Sequence, residues 1–307
     1  MDLSPRLRFK LDQIQRKMKA LGGEPDRPRP KLCPSCGTLV GATATHCHQC
    51  GANLTFSLAG ASRSLGKLMP GTSPATYGIL TLSCLVYGAT LLATVYHSGF
   101  EGAGGGLRGI FDLGGIAGDV LQVAGASLPW PVDLREPWRL VIAIFLHGSL
   151  LHIGFNMWVL MDIGPTVEEL YGSARYLFLY VATGVMGYVV SSLFWNFSVG
   201  GSGALLGLIG AMLAVTMGRR TAAMQMLRGQ IIRWLIYIAI WGLLFRGIDN
   251  YAHAGGLVSG FILGKIMADR PPVTPEERKR AYALGWLAGL AVVGSFAMIG
   301  LATLYYR

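Results

Sequence analysis

Ser202 stands in Gly200-Gly201-Ser202-Gly203 and His253 in Asn250-Tyr251-Ala252-His253, each at the head of an apolar run. A serine hydroxyl becomes a nucleophile only when a base takes its proton, and imidazole has the pKa suited to that task near neutral pH. His253 is therefore the candidate base for Ser202. A helix starting at Ser202 would offer free N–H groups and the positive end of its dipole to a developing oxyanion. The flanking Gly200 and Gly203 leave room for a substrate backbone. His152 and Asn156, in LHGSLLHIGFN, are four residues apart and share one helical face. With the N–H of Ser202 they form a candidate oxyanion hole, the electrostatic element that acyl transfer needs. Gly256 and Gly260 lie on the face of His253 and would let its helix pack closely, with the Ser202 helix as the expected partner. No Asp or Glu stands out as an orienter of His253, so the pair reads as a dyad. Each residue alone has a plainer reading. Small residues at membrane-helix starts are packing devices, and a lone His or Asn there is an interhelical hydrogen-bonding group. Their combination favours acyl transfer. His147, in the same segment, reads as a marker of the membrane interface.

A second group is Cys33-Pro-Ser-Cys36 and Cys47-His-Gln-Cys50, each followed by Gly, with ten residues between the pairs. Two such turns on a short hairpin can hold four thiolates around one tetrahedral zinc. The segment resembles a zinc ribbon with Cys33, Cys36, Cys47 and Cys50 as ligands of one structural Zn. Redox dithiols or a disulfide pair are the alternatives, and His46 or His48 could substitute as a ligand. The fifth cysteine, Cys84, lies in an apolar run and reads as a core residue.

The elements that must position these residues follow from composition. Hydrophobic residues make up 52% of the chain and charged residues 14%, against roughly 25% charged in an average globular domain. That balance, with 43 glycines, suits a chain solvated by lipid and packed through small residues. Apolar runs predict seven membrane spans near 76–96, 139–161, 174–195, 202–218, 231–247, 252–268 and 282–304. The fourth and sixth are short and Gly-rich, as suits helices buried among others.

The net charge of +10 follows topology more than nucleic acid, because nothing aromatic is interleaved with the basic residues. Residues 1–75 carry eleven Lys/Arg against four Asp/Glu, whereas loop 97–137 carries two against five. Loops rich in Lys and Arg stay in the cytoplasm. The N-terminus is expected inside, the C-terminus outside, and the first span is expected to act as an uncleaved signal. That topology puts His152, Ser202 and His253 in the outer half of the bilayer. The expected domains are 1–30, a basic amphipathic helix (5–21) and linker; 31–56, the ribbon; 57–74, a second linker; and 75–307, the membrane domain. The amphipathic helix could lie on anionic lipid or stand solvated in the cytoplasm.

Residues 75–307 resemble the rhomboid family of intramembrane serine proteases. The resemblance rests on His152–Asn156 in the second span, Gly200–Gly203 opening a short fourth, and His253 with Gly256 and Gly260 in the sixth. Trp138-Arg139 and Glu168 are similar to a family Trp-Arg pair and a family acidic residue. The resemblance implies an all-α, polytopic, rhomboid-like six-helix core plus a seventh C-terminal helix. It implies Ser202 as nucleophile, His253 as base, and His152, Asn156 and the Ser202 N–H as the oxyanion hole. No cofactor for catalysis is implied, and the substrates would be single transmembrane helices with weakly helical segments near the outer face. Many members carry an aromatic residue four positions after the serine; here it is Leu206. The ribbon lies outside the shared core and is expected to dock a cytoplasmic partner. A bacterial plasma membrane is the expected location. Two other functions compete. An inactive relative that escorts membrane helices would typically lack the Ser or the His. A solute transporter would favour internal repeats, and none stands out between the halves.

Overall fold

A computed structural model describes residues 30–33, 38–49, 73–100, 113–130, 135–194, 197–217, 221–244, 247–267 and 270–305. The chain divides into two units, Met1–Leu68 and Met69–Arg307. The expected helix over 5–21, the linkers up to residue 29 and over 52–72, Cys36 and Cys50 lie outside the described residues.

In the first unit, β1 (Lys31–Leu32) pairs antiparallel with β2 (Leu39–Val40), with Lys31 opposite Val40 and Leu32 opposite Leu39. The Cys33 N–H donates to Thr38 O at 2.8 Å. Cys33 and Cys47 are both buried and pack together with Val40, so the hairpin brings the first cysteine of each CxxC pair into one small core.

The second unit is helical. Among the described residues, two short helices, α2 (Gly118–Ala124) and α3 (Trp138–Ile142), sit among seven long ones: α1 (Pro74–Phe100), α4 (Leu150–Tyr171), α5 (Ser173–Ser192), α6 (Ser202–Thr216), α7 (Ala222–Leu244), α8 (Asn250–Ile266) and α9 (Pro275–Tyr305). Among the described residues, four helices are long and apolar enough to cross a membrane: Pro74–His97, Ser173–Ser192, Met224–Leu244 and Pro275–Leu301. The short α6 is buried from Gly203 to Met212. Surrounded by other helices rather than by lipid, it need not match the bilayer thickness. The second unit is an all-α, multi-pass membrane unit.

α6 and α8 are in backbone contact. A Cβ on Gly256 would lie 1.9 Å from Gly203 O, one on Gly260 1.9 Å from Gly207 O, and one on Gly210 2.2 Å from Leu257 O. Apolar side chains gain little by leaving lipid for another helix, so such close contact through small residues is how membrane helices associate. This seam holds the two helices that carry Ser202 and His253.

Glu168, buried near the end of α4, caps α1 across the bundle. Its carboxylate accepts from Ala75 N at 2.9 Å, Thr76 N at 2.8 Å and Thr76 Oγ1 at 2.8 Å. Those backbone N–H groups belong to the first turn of α1 and have no partner within the helix. Glu168→Ala should therefore cost about 3 kcal/mol, since it strands three donors, two of them buried, that now bond a charge. Reversible unfolding of the purified chain in mixed micelles would measure it, and a loss under about 0.5 kcal/mol, the level of an ordinary surface change, would rule the cap unimportant.

Three expectations need correction. The second span was expected over 139–161, but the chain leaves helix after Ile142 and resumes it only at Leu150, continuing to Tyr171. Residues 141–147 are buried inside the protein, so their apolarity reflects packing against other helices rather than contact with lipid. Ser149 then caps α4, accepting from His152 N. The fifth and seventh helices begin at Ala222 and Pro275, ahead of the expected 231 and 282, because their polar first turns remain helical. Arg228, in the second turn of α7, donates to Thr216 O at the end of α6. Finally, Cys84 is exposed on α1 rather than part of the core.

Candidate active site

The segment before Ser202 is shaped by the break after α3. Ala143 O, freed from a continuing helix, accepts from Gly200 N at 2.9 Å. The Tyr188 hydroxyl, on α5, lies 2.6 Å from Gly200 O and 3.1 Å from Ala143 O. Gly200 has φ +125°, and a Cβ there would lie 2.6 Å from His152 Nε2. Both conditions demand glycine: left-handed backbone that side chains avoid, and an imidazole edge directly against the Cα. α6 then starts at Ser202 with no side-chain cap, leaving its first N–H groups free of side-chain acceptors.

α8 starts just after Asp249, whose carboxylate accepts from Tyr251 N and Ala252 N and from the Ser191 hydroxyl on α5. His253 sits in the first turn of α8, on the face that carries Gly256 and Gly260 against α6. This geometry brings His253 Nε2 to 2.8 Å from Ser202 Oγ. With Nε2 as acceptor, the ring proton is on Nδ1, and the serine can hand its own proton to the imidazole.

His152 and Asn156 share one face of α4, as their spacing predicts. His152 Nδ1 accepts from Gly148 N at 3.3 Å, which places the ring proton on Nε2, the atom beside Gly200. Asn156 Nδ2 donates one hydrogen to His152 O at 2.8 Å. Its Oδ1 is buried, with no hydrogen-bond partner among the described residues. Ser202, His253, His152 and Asn156 all line one cavity of about 860 Å³. Leu206, at the position where an aromatic residue was expected, is buried and lines the same cavity.

The far wall of the cavity is the seam between α4 and α7. Phe155 and Trp158 meet Trp234 and Trp241 with ring centroids 5.0–6.0 Å apart. Asp162 Oδ2 crosses the seam to accept from Trp234 Nε1 at 2.6 Å and Gln230 Nε2 at 2.7 Å. Across the molecule, Arg139 lies over the Trp138 ring at 4.6 Å, pairs with Glu136 and donates to Gln122 O at 2.6 Å. The Trp-Arg pair thus anchors α2 beside the start of α3.

Two side chains differ from the sequence reading. His147 is fully buried rather than interfacial. Its ring packs at 70° against that of His152, centroids 5.1 Å apart, and Nδ1 lies 3.2 Å from Phe145 O. It buttresses the His152 ring, a role that hydropathy cannot reveal. A carboxylate also stands in the cavity where none was expected, because Asp249 lines it. Its bonds go to the helix cap and Ser191. The signal for it was an Asp directly ahead of an apolar helix, the N-cap position.

Residues 134–270 match the sequence profile of the Rhomboid domain. This part of the chain is similar to a rhomboid domain. It takes in α3 through α8 and every candidate catalytic residue, while α1 precedes it and α9 follows it. Curated relatives share it. "Rhomboid protease GluP" of Bacillus subtilis is 39% identical over 144 residues, covering 47% of this chain and 28% of that protein. "RHOMBOID-like protein 6, mitochondrial" of Arabidopsis thaliana is 37% identical over 178 residues, 56% of this chain and 57% of that one. "Rhomboid-like protease 2" of Toxoplasma gondii is 32% identical over 171 residues, 52% of this chain and 58% of that one. The chain thus spans between about a quarter and three fifths of the length of these relatives. The matched stretch carries the likeness, and the N-terminal cysteine unit lies outside it.

Proposed function

We propose that the chain is an intramembrane serine endopeptidase that cleaves transmembrane segments of other proteins through a Ser202–His253 dyad. The observation that supports it most is the 2.8 Å contact between Ser202 Oγ and His253 Nε2 inside a cavity walled by membrane helices. Two of the three relatives named above are called rhomboid proteases.

In this reading Ser202 Oγ attacks the carbonyl carbon of the scissile peptide while its proton passes to His253 Nε2. The negative charge gathered on the carbonyl oxygen is met by the Ser202 N–H at the head of α6, by His152 Nε2–H and by the second N–H of Asn156 Nδ2. The C–N bond breaks as His253 returns the proton to the leaving amine, leaving Ser202 acylated. Water, deprotonated by His253, then releases the acid and regenerates the serine. A peptide bond within a helix is shielded, so substrates are transmembrane helices that unwind readily near the site. The Lys/Arg distribution favours a site that faces the outer leaflet, with a bacterial plasma membrane as the expected setting.

The test requires no known substrate. A serine-directed fluorophosphonate should label purified protein at Ser202, located by mass spectrometry, and the label should vanish in Ser202→Ala and His253→Ala. Absence of labelling in protein shown to be folded would favour a helix-binding protein without catalysis.

The N-terminal unit is proposed to hold one zinc through Cys33, Cys36, Cys47 and Cys50, and to dock a cytoplasmic partner. The burial of Cys33 and Cys47 together supports this, since thiolates around a metal share a dry core. Elemental analysis of purified protein should find one zinc per chain, lost in Cys33→Ser. Metal-free protein with a folded first unit would refute it.

A further inference from the structure

We infer that a basic pocket at the end of the bundle opposite the catalytic cavity binds a phosphate group, as on an anionic lipid headgroup. The pocket, about 220 Å³, lies where the start of α9 crosses the start of α5 and is lined by Ser173, Ala174, Arg175, Arg278 and Tyr282 among others. Arg175 is 8% exposed. Its Nη1 donates to Arg270 O at 3.0 Å, and among the described residues the rest of the guanidinium has no hydrogen-bond partner. A buried cation ordinarily has an anion beside it, because taking it from water uncompensated is costly. No carboxylate of the described residues forms an ion pair with Arg175. Arg278, partly exposed, bonds Val273 O through Nε and Nη2, leaving Nη1 for a ligand.

The backbone supplies a second source of positive potential. α5 begins at Ser173 without a side-chain cap, so the N–H groups of its first turn are open at the pocket. Gly172, at φ +78°, turns the chain into α5, and a Cβ there would lie 3.3 Å from Pro272 Cδ. A Cβ on Gly285 would lie 2.9 Å from that of Ala174, so α9 is held tightly over the pocket. Guanidinium forks and a helix N-terminus both suit a phosphoryl oxyanion.

Depth in the bilayer argues for a lipid. The far end of α5, at Ser191, bonds Asp249 at the catalytic cavity. A helix of 20 residues is about 30 Å long, the thickness of the hydrocarbon core. A pocket at Ser173 therefore lies at the level of the opposite headgroups. Basic pockets between helices at that level are where anionic headgroups bind.

Binding is read on the full chain in neutral detergent, by native mass spectrometry and by thermal shift against dioctanoyl phosphatidylglycerol, dioctanoyl phosphatidylcholine and inorganic phosphate. One phosphatidylglycerol per chain should be retained in preference to phosphatidylcholine. Arg278→Gln should weaken it about tenfold, the loss expected for a charge-assisted bond. Lys265→Gln, an exposed lysine on α8 outside the pocket, should leave it unchanged. Arg175→Gln should abolish binding, and Arg175→Lys serves if the glutamine variant fails to fold. Lipid binding that inorganic phosphate does not displace assigns the headgroup as the source; displacement at millimolar phosphate assigns the free anion, and both uphold the phosphate site. Absence of saturable binding by either probe, or equal binding in Arg278→Gln and Lys265→Gln, overturns it.

Discussion

Ser202→Ala and His253→Ala should each lower turnover of a transmembrane substrate by roughly 10⁶-fold, and the double variant should be no worse than either. The two side chains act as one unit. Without the imidazole, the serine keeps its proton and is a poor nucleophile. Without the hydroxyl, the imidazole has nothing to activate. What survives is the contribution of the oxyanion donors and of binding. His152→Ala and Asn156→Ala should therefore each cost less, about 10²- to 10³-fold, the usual effect of losing one such donor. Neither Ser202 nor His253 is fully buried, and the bond between them is a single one, so thermal unfolding of both variants should stay close to that of the parent. Turnover against a panel of transmembrane peptides in liposomes gives the measurement. A Ser202→Ala protein that keeps a hundredth of parental activity would remove the serine from the chemistry. Additive losses in the double variant would mean that the two residues do not work together.

Gly256→Ala and Gly260→Ala should be the most damaging single methyl additions among the glycines of the described residues. Elsewhere, replacing a helical glycine by alanine gains up to about 1 kcal/mol of helix propensity. Here the new Cβ would lie 1.9 Å from a carbonyl oxygen of α6 in each case. Neither backbone is the free end of a flexible side chain, so α8 must move away from α6. The expected cost is about 3 kcal/mol or more, at the upper end of overpacking. Because His253 rides on the moving helix, labelling of Ser202 should fall alongside stability. Gly88→Ala on α1 is the matched control: nothing lies within 4 Å of its added methyl, and its stability should hold or rise. Equal effects at Gly88 and Gly256 would show that the close seam is not what holds the two helices.

The residues with costly chemistry were readable in the sequence. A hydroxyl, two imidazoles and an amide inside apolar runs are expensive unless they serve a purpose, so they stand out against a background of Leu, Ala and Gly. Their spacing also announced part of the packing. His152 and Asn156 had to share a face of α4, and the small residues after His253 had to meet another helix. The number of long helices was equally legible, because each crossing needs its own apolar stretch.

Hydropathy could not separate residues buried in protein from residues facing lipid, since both are apolar. For that reason 139–161 read as one span although 143–149 is an irregular segment, buried as far as His147, whose Ala143 carbonyl holds Gly200. It is also why Cys84 read as core and His147 as interfacial. The pairing of Asp249 with Ser191, of Asp162 with Trp234, and of Arg175 with the Arg270 carbonyl ahead of α9 joins residues 58 or more positions apart. Such contacts depend on which helices are neighbours and at what height they cross. Periodicity fixes only the face a residue occupies on its own helix. The sequence thus determined which groups are present and on which faces; the 2.8 Å between Ser202 and His253 was decided by how closely α6 and α8 can approach.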